Sequence, residues 1–304
     1  MTTTPAAVQA PDLSAPDRIL RKAELLFRRR LDGVGPGAHR SIRLGEGVEL
    51  ADIREYTPGD DVRSIDWNVT ARTGHPHVRV YDADRETTAL LVIDRSASMM
   101  FGTANQTKES LLRELVGAVA VLVLRRGNRL GGLVFSDRPI GGIPVTSGRR
   151  GALRLLQLVV DNAPAERAAS RLDLALDEAA RVLRRRSIVF VVSDWIDAGA
   201  WENPLRKLAL RHEVIAADIR DPRENELPAV GPIVLEDPET GQQLEVDTRR
   251  PKLLEAFAAA VDADRRRRDH AIVGAGASHL VVSTDRDWIA DLLRFLEHRR
   301  RSRR

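Results

Sequence analysis

The run Leu90-Leu91-Val92-Ile93-Asp94-Arg95-Ser96-Ala97-Ser98 takes an apolar strand pattern into one carboxylate followed by two hydroxyls. Alternate residues of a tight loop can turn their oxygens toward one point. One carboxylate with two hydroxyls makes a hard oxygen site, suited to Mg2+, Mn2+ or Ca2+. A second apolar run, residues 188–192, ends in Ser193-Asp194-Trp195, and Ser170 precedes a helical pattern over 172–185. The candidate metal ligands are therefore Asp94, Ser96, Ser98, Ser170 and Asp194. The competing assignment is structural: Ser96 or Ser98 could serve as a helix N-cap.

A second constellation lies upstream, in Arg54-Glu55-Tyr56-Thr57-Pro58-Gly59-Asp60-Asp61-Val62-Arg63-Ser64-Ile65-Asp66-Trp67. Thr57-Pro58-Gly59-Asp60 has type II turn chemistry, with Pro fixing φ and Gly accepting a positive φ. Arg54, Arg63 and Arg72 alternate with Asp60, Asp61 and Asp66, which suggests an ion-pair network with Tyr56 and Trp67 packed beneath it. That network serves either as a structural clasp or as a partner-binding face.

Other chemistries find no support. No P-loop, Gly-x-Ser-x-Gly elbow or His-Glu-x-x-His pattern occurs. The chain has no cysteine, which excludes disulfides, thiolate catalysis and Cys-based metal sites. His75 and His77 with Asp82 and Asp84 could be drawn as a metal cluster, but no ligand spacing enforces it. The net charge is +4, and five arginines fall within residues 299–304; without them the remainder stands at −1. The body is thus near neutral, and nucleic-acid binding would rest on the tail alone.

The elements that position these residues follow from hydrophobic periodicity. From residue 86 onward, buried-strand runs alternate with helical patterns, the signature of a parallel α/β sheet. Strands are expected at 89–93, 130–135, 188–192, 214–219 and 279–283, with an antiparallel edge strand at 140–145. A doubly wound order of 3-2-1-4-5-6 sets the ends of 89–93 and 188–192 side by side at the switch point, bringing Asp94 to Asp194. The expected organisation is a disordered leader at 1–15, a helix plus a β-rich extension at 16–85, the sheet domain at 86–298 and a basic tail at 299–304. No run is long and apolar enough to span a bilayer, and no signal-peptide core is present, so the expectation is a soluble cytoplasmic protein.

The Asp94 loop with Asp194 resembles the von Willebrand factor A domain and its metal-ion-dependent adhesion site. There an Asp-x-Ser-x-Ser loop, a Thr and a further Asp hold a divalent cation, usually Mg2+; Ser170 stands where the family usually has Thr. The stretch from Leu50 to Arg72 resembles the signature of the bacterial and archaeal family called domain of unknown function fifty-eight, whose members contain a von Willebrand A-like domain. This second resemblance runs from about residue 17 to 298 and includes Leu235-Glu236-Asp237-Pro238 and Ser283-Thr284-Asp285-Arg286-Asp287-Trp288. It implies a non-enzymatic, metal-dependent protein-interaction module working with a MoxR-type AAA+ ATPase, in which an acidic residue of a protein ligand completes the metal shell. The alternatives are a metal-dependent hydrolase, for which neither His212 nor His270 is placed as a base, and nucleic-acid binding through the arginine tail.

Overall fold

The computed structural model describes residues 14–32, 50–81, 87–102, 106–125, 127–164, 167–196 and 199–302. The expected leader falls outside these residues except for Ser14 and Ala15, as do Asp82 and Asp84 of the candidate histidine cluster. The architecture is mixed α/β, with a six-stranded, mostly parallel sheet and eight α-helices among the described residues.

The sheet is built from β3 (Thr88–Asp94), β4 (Arg129–Phe135), β5 (Pro139–Ser147), β6 (Ile188–Ser193), β7 (Glu213–Arg220) and β10 (Ser278–Ser283). Its order is β10-β7-β6-β3-β4-β5, and only β5 runs antiparallel. Counted within the sheet from β3, that order is 3-2-1-4-5-6. The central strands β3 and β6 are buried along almost their whole length because helices cover both faces. Alternation along β3 assigns the two cores. Ala89, Leu91 and Ile93 face Leu111, Leu115, Leu155 and Leu292. Leu90 and Val92 face Leu172, Leu205 and Ile272 on the other side.

The first face is covered by α3 (Lys108–Leu124), α4 (Arg149–Asp161) and α8 (Trp288–Ser302); the second by α5 (Leu172–Val182), α6 (Glu202–Arg211) and α7 (Pro251–Gly274). Helix α3 is apolar nearly all round, which a helix on one sheet face does not need. The N-terminal helix α1 (Ala15–Asp32) explains it: Leu20, Ala23 and Phe27 are buried and pack α1 against α3 and α4. At the crossing, a Cβ on Gly117 would stand 2.8 Å from Ile19 Cγ2, so glycine sets the closeness of the two helices. Helix α1 therefore belongs with the sheet layers, although the sequence suggested grouping it with the extension.

The extension contains β1 (Leu50–Glu55), a 3-10 turn at Val62–Ser64, α2 (Trp67–Thr73) and β2 (His77–Tyr81), with β1 antiparallel to β2. Helix α2 interrupts a segment whose sequence pattern suggests a β-rich extension. A hairpin is formed by β8 (Pro232–Glu236) and β9 (Gln243–Asp247). Helix α8 carries on through Arg299 and Arg301 to Ser302, so most of the basic run is helical rather than a loose tail.

Candidate metal centre at the strand ends

Asp94 closes β3 and is fully buried. Its Oδ1 accepts the Ser96 N–H at 2.8 Å. Its Oδ2 accepts the hydroxyls of Ser170 at 2.9 Å and Ser193 at 2.6 Å. Ser96 Oγ and Ser98 Oγ lie 3.1 Å apart. Ser96 occupies the N-cap of the short 3-10 helix Ala97–Met100, yet its side chain makes no capping bond. The capping assignment therefore does not account for the Ser96 hydroxyl. Among the described residues no Lys or Arg forms an ion pair with Asp94. Burial, and then the charge of Asp194, push its carboxyl above the usual carboxylate range.

Main-chain bonds stitch the contributing loops together. Arg95 N–H donates to the Phe135 carbonyl at 2.7 Å, Ala97 N–H to Ala168 at 2.8 Å, and Arg171 N–H to Ser136 at 2.8 Å. The Ser170 N–H reaches Glu239 Oε2, at the tip of the β8–β9 hairpin, at 3.3 Å. Ser170 is thus held from two sides and aimed at Asp94.

Asp194 follows β6 and is equally buried. Its Oδ1 accepts the Ile196 N–H at 3.1 Å, and its main-chain carbonyl accepts Arg268 at 2.8 Å. Its Oδ2 accepts the Lys108 ammonium at 2.6 Å. The same ammonium donates to Glu224 Oε1 and lies 5.9 Å from the Phe101 ring centroid. Lys108 has no exposed side chain at all. Burial works against its charge, but the two carboxylates outweigh burial and hold its pKa above the usual lysine value. Glu224 is fixed by a capping box in the 3-10 turn Pro222–Asn225: Asp221 Oδ1 accepts Arg223 N–H at 2.8 Å, and Glu224 Oε2 accepts Asp221 N–H at 3.2 Å. Thr284, from the loop after β10, donates to Asp221 Oδ2 at 2.6 Å.

Trp195, beside Asp194, has φ of 60°, a left-handed conformation uncommon for a bulky residue. Its indole is buried edge-on against Trp201, with centroids 5.0 Å apart, and its main-chain N–H donates to Ser193 Oγ at 3.0 Å. Ser193 Oγ thereby accepts from Trp195 while donating to Asp94, which links the two site loops through one hydroxyl. A cavity of about 350 Å³ opens beside Asp194 and Glu224, with Phe257 and Val261 on its apolar side and Arg220, Arg265 and Arg268 on its cationic side.

All five residues expected as ligands sit at the strand ends. Ser170 and Asp94 are joined directly, Ser96 and Ser98 pair beside them, and the Asp194 charge acts on Asp94. Ser193, Lys108 and Glu224 were missed. Ser193 had a visible signal, since it ends the second strand beside Asp194. Lys108 carries none in the sequence, where it reads as an ordinary residue in the first turn of a helix.

The upstream motif differs from its expectation. Arg54 and Asp60 do form a two-pronged ion pair, at 2.8 and 2.7 Å, and Asp60 also accepts Thr57 N–H at 2.9 Å. These donors hold the Asp60 carboxyl well below its usual range. The Asp60 N–H closes the turn onto the Thr57 carbonyl at 3.0 Å, and Gly59 has φ of 113°. The other aspartates are caps: Asp61 accepts Arg63 N–H at 2.9 Å, and Asp66 caps α2 by accepting Asn68 N–H at 2.9 Å and Val69 N–H at 3.2 Å. Among the described residues neither Arg63 nor Arg72 makes an ion pair. Trp67 is 70% exposed, so it does not pack beneath the motif. It is the first residue of α2, directly after the Asp66 cap.

Asp218, Asp269 and His279 could in principle hold an ion. Arg220 already lies between the two carboxylates, and His279 Nε2 is 3.1 Å from Asp218 Oδ2. Burial opposes ionisation of Asp218, yet His279 and Arg220 hold its carboxyl below the usual range. Its charge is met from within the protein, unlike that of Asp94.

An uncharacterised protein of Mycobacterium tuberculosis, Rv1480, is 41% identical over 308 residues, covering 98% of this chain and 96% of its own length. An uncharacterised protein of Mycobacterium avium, MAV169, is 40% identical over 161 residues, which is 52% of this chain and 94% of that protein. Among solved structures, the conserved hypothetical protein BatB from Bacteroides thetaiotaomicron aligns with a TM-score of 0.48 and 15% identity, covering 72% of this chain and 100% of that one. The model of the family described as "Protein of unknown function DUF58" matches residues 52–267, a span that contains both the Arg54–Trp67 motif and the Asp94 centre. The chain belongs to the DUF58 family.

Proposed function

We propose that the Asp94 cluster is a divalent-cation site, Mg2+ in the first instance with Mn2+ or Ca2+ as alternatives, through which the protein grips an acidic residue of a protein partner. One observation carries this reading: a fully buried carboxylate without a cationic side chain sits beside two buried hydroxyls, one of which is left free of its expected helix cap. The residues fit such an ion by chemistry, since every donor is a hard oxygen and none is sulfur or imidazole. Asp94, Ser96 and Ser98 would hold it, with Ser170 and Asp194 close by; Ser193 orients Asp94. When bound, the ion supplies an open coordination position that a carboxylate from the partner can complete.

In this reading the sheet domain is a von Willebrand A-like module, and the protein is a non-enzymatic adaptor or co-chaperone of a MoxR-type AAA+ ATPase in the cytoplasm, serving complex assembly or protein maturation. Among the described residues no helix is long and apolar enough to cross a membrane, which agrees with that setting. A hydrolytic role gains no support: His212 is buried at the end of α6 and His270 is exposed on α7, and neither enters the cluster. The exposed Trp67 favours a second contact face on the upstream motif. The test is co-purification with the source organism's MoxR-type ATPase in Mg2+ and in EDTA, for the wild type and Asp94→Asn. Binding lost in EDTA and in the variant supports the proposal; binding unchanged in both overturns it.

A further inference from the structure

The side chain that no ligand reading requires is Lys108. It enters the centre from the first turn of α3, is wholly buried, and places its ammonium between Asp194 and Glu224. We propose that Lys108 is a built-in cation that competes with the divalent ion for Asp194, using Glu224 as its alternative anchor. The inference rests on the cation-site reading above and adds its regulation.

Three features support it. First, both oxygens of Asp194 are committed in the structure, Oδ1 to the Ile196 N–H and Oδ2 to Lys108. An ion drawing on Asp194 must take that oxygen from the ammonium or share it. Second, Glu224 gives Lys108 somewhere to stay. Its capping box and the Thr284–Asp221 hydrogen bond fix it independently of Asp194. Lys108 can therefore release Asp194 without becoming a lone buried charge, which would be strongly unfavourable. Third, the Lys108 ammonium pairs with Asp194 and Glu224 but not with Asp94, so among the described residues one buried carboxylate has no ion-pair partner. A divalent ion can meet that excess of negative charge while Lys108 remains protonated. The arrangement keeps the protein folded without metal and sets a threshold for loading, because the ion has to outcompete a tethered charge.

Simple removal of Lys108 changes both the competitor and the net charge. The paired substitution Lys108→Met with Glu224→Gln removes one charge of each sign, leaving the excess at its wild-type value and no lone buried lysine. The experiment is a Mn2+ titration of the full chain, followed by electron paramagnetic resonance of free Mn2+, for the wild type, the double variant, Glu224→Gln and Asp94→Asn. The expected result is binding to the double variant tighter than to the wild type by roughly tenfold or more, since the ammonium held directly against Asp194 Oδ2 has been removed and that oxygen is released. Glu224→Gln should bind more weakly than the wild type, because Lys108 is left with Asp194 alone. Equal or weaker affinity in the double variant would overturn the competition while the cation site stands, provided wild-type binding is lost in Asp94→Asn. No Mn2+ bound by either the wild type or the double variant would overturn the cation site itself, and this inference with it.

Discussion

Asp60 and Asp94 each accept a main-chain N–H and a hydroxyl, yet they sit in opposite electrostatic settings. Asp60 is satisfied by partners three and six residues away, Thr57 and Arg54, at the surface. Asp94 draws its hydroxyl donors from loops 76 and 99 residues away and has no cation of its own. The first carboxyl is held below its usual range by Arg54, the second is raised by burial and by Asp194. A carboxylate that is locally complete shapes a turn. One that the fold assembles and leaves short of positive charge is poised to take a cation.

The contrast can be broken by substitution. The largest effect belongs to Lys108→Ala, which strands the buried Asp194 and the partly buried Glu224 and should cost about 3–5 kcal/mol in urea unfolding without metal. A loss under about 1 kcal/mol would show that Asp194 and Glu224 find other partners.

Next comes pH. The raised Asp94 pKa means that the folded state binds that proton more tightly than the unfolded chain. Its contribution is therefore present at low pH and lost as pH rises through the raised value. In EDTA, Asp94→Asn should remove this decline and unfold no more easily than the wild type near neutral pH. Asp60 has the opposite sign: its contribution is present above the ordinary carboxylate pKa and lost as pH falls. Relative to the wild type, Asp94→Asn should gain stability and Asp60→Asn should lose it as pH rises; two profiles that shift in the same direction would contradict the comparison.

Smaller still, Asp66→Ala removes the α2 cap and should cost about 1 kcal/mol of local stability, read as faster amide exchange in α2 with the Asp94 centre unchanged. Smallest of all, Trp67→Ala should leave stability within about 0.5 kcal/mol, since the ring is exposed. If the motif is a contact face, the same change weakens partner binding; a large loss of stability would instead mark Trp67 as structural.

The sheet was legible because its strands are short apolar runs bounded by breakers and its helices keep a clear period. That pattern alone brings the ends of 89–93 and 188–192 together, and with them Asp94 and Asp194. The 172–185 pattern also put Ser170 in the right loop. What remained hidden was long-range. Lys108 lies 86 residues from Asp194 and 116 from Glu224, and nothing in Lys108-Glu109-Ser110 marks the lysine as buried. The apolar flank of α3 reads as one face of an ordinary helix, and only the packing of α1 across it shows why all sides are greasy. In the upstream motif the residue types were informative but their grouping was not. Alternating Arg and Asp suggested one network, whereas Asp61 and Asp66 are spent capping short helices that the polar pattern did not reveal.

The central claim is that Asp94 organises a divalent-cation site, and calorimetric titration with Mn2+ after EDTA treatment tests it most directly. The account predicts one ion bound per wild-type chain and none in Asp94→Asn, with both proteins folded. Binding of equal stoichiometry and affinity in the two proteins, or none in the wild type, would contradict it.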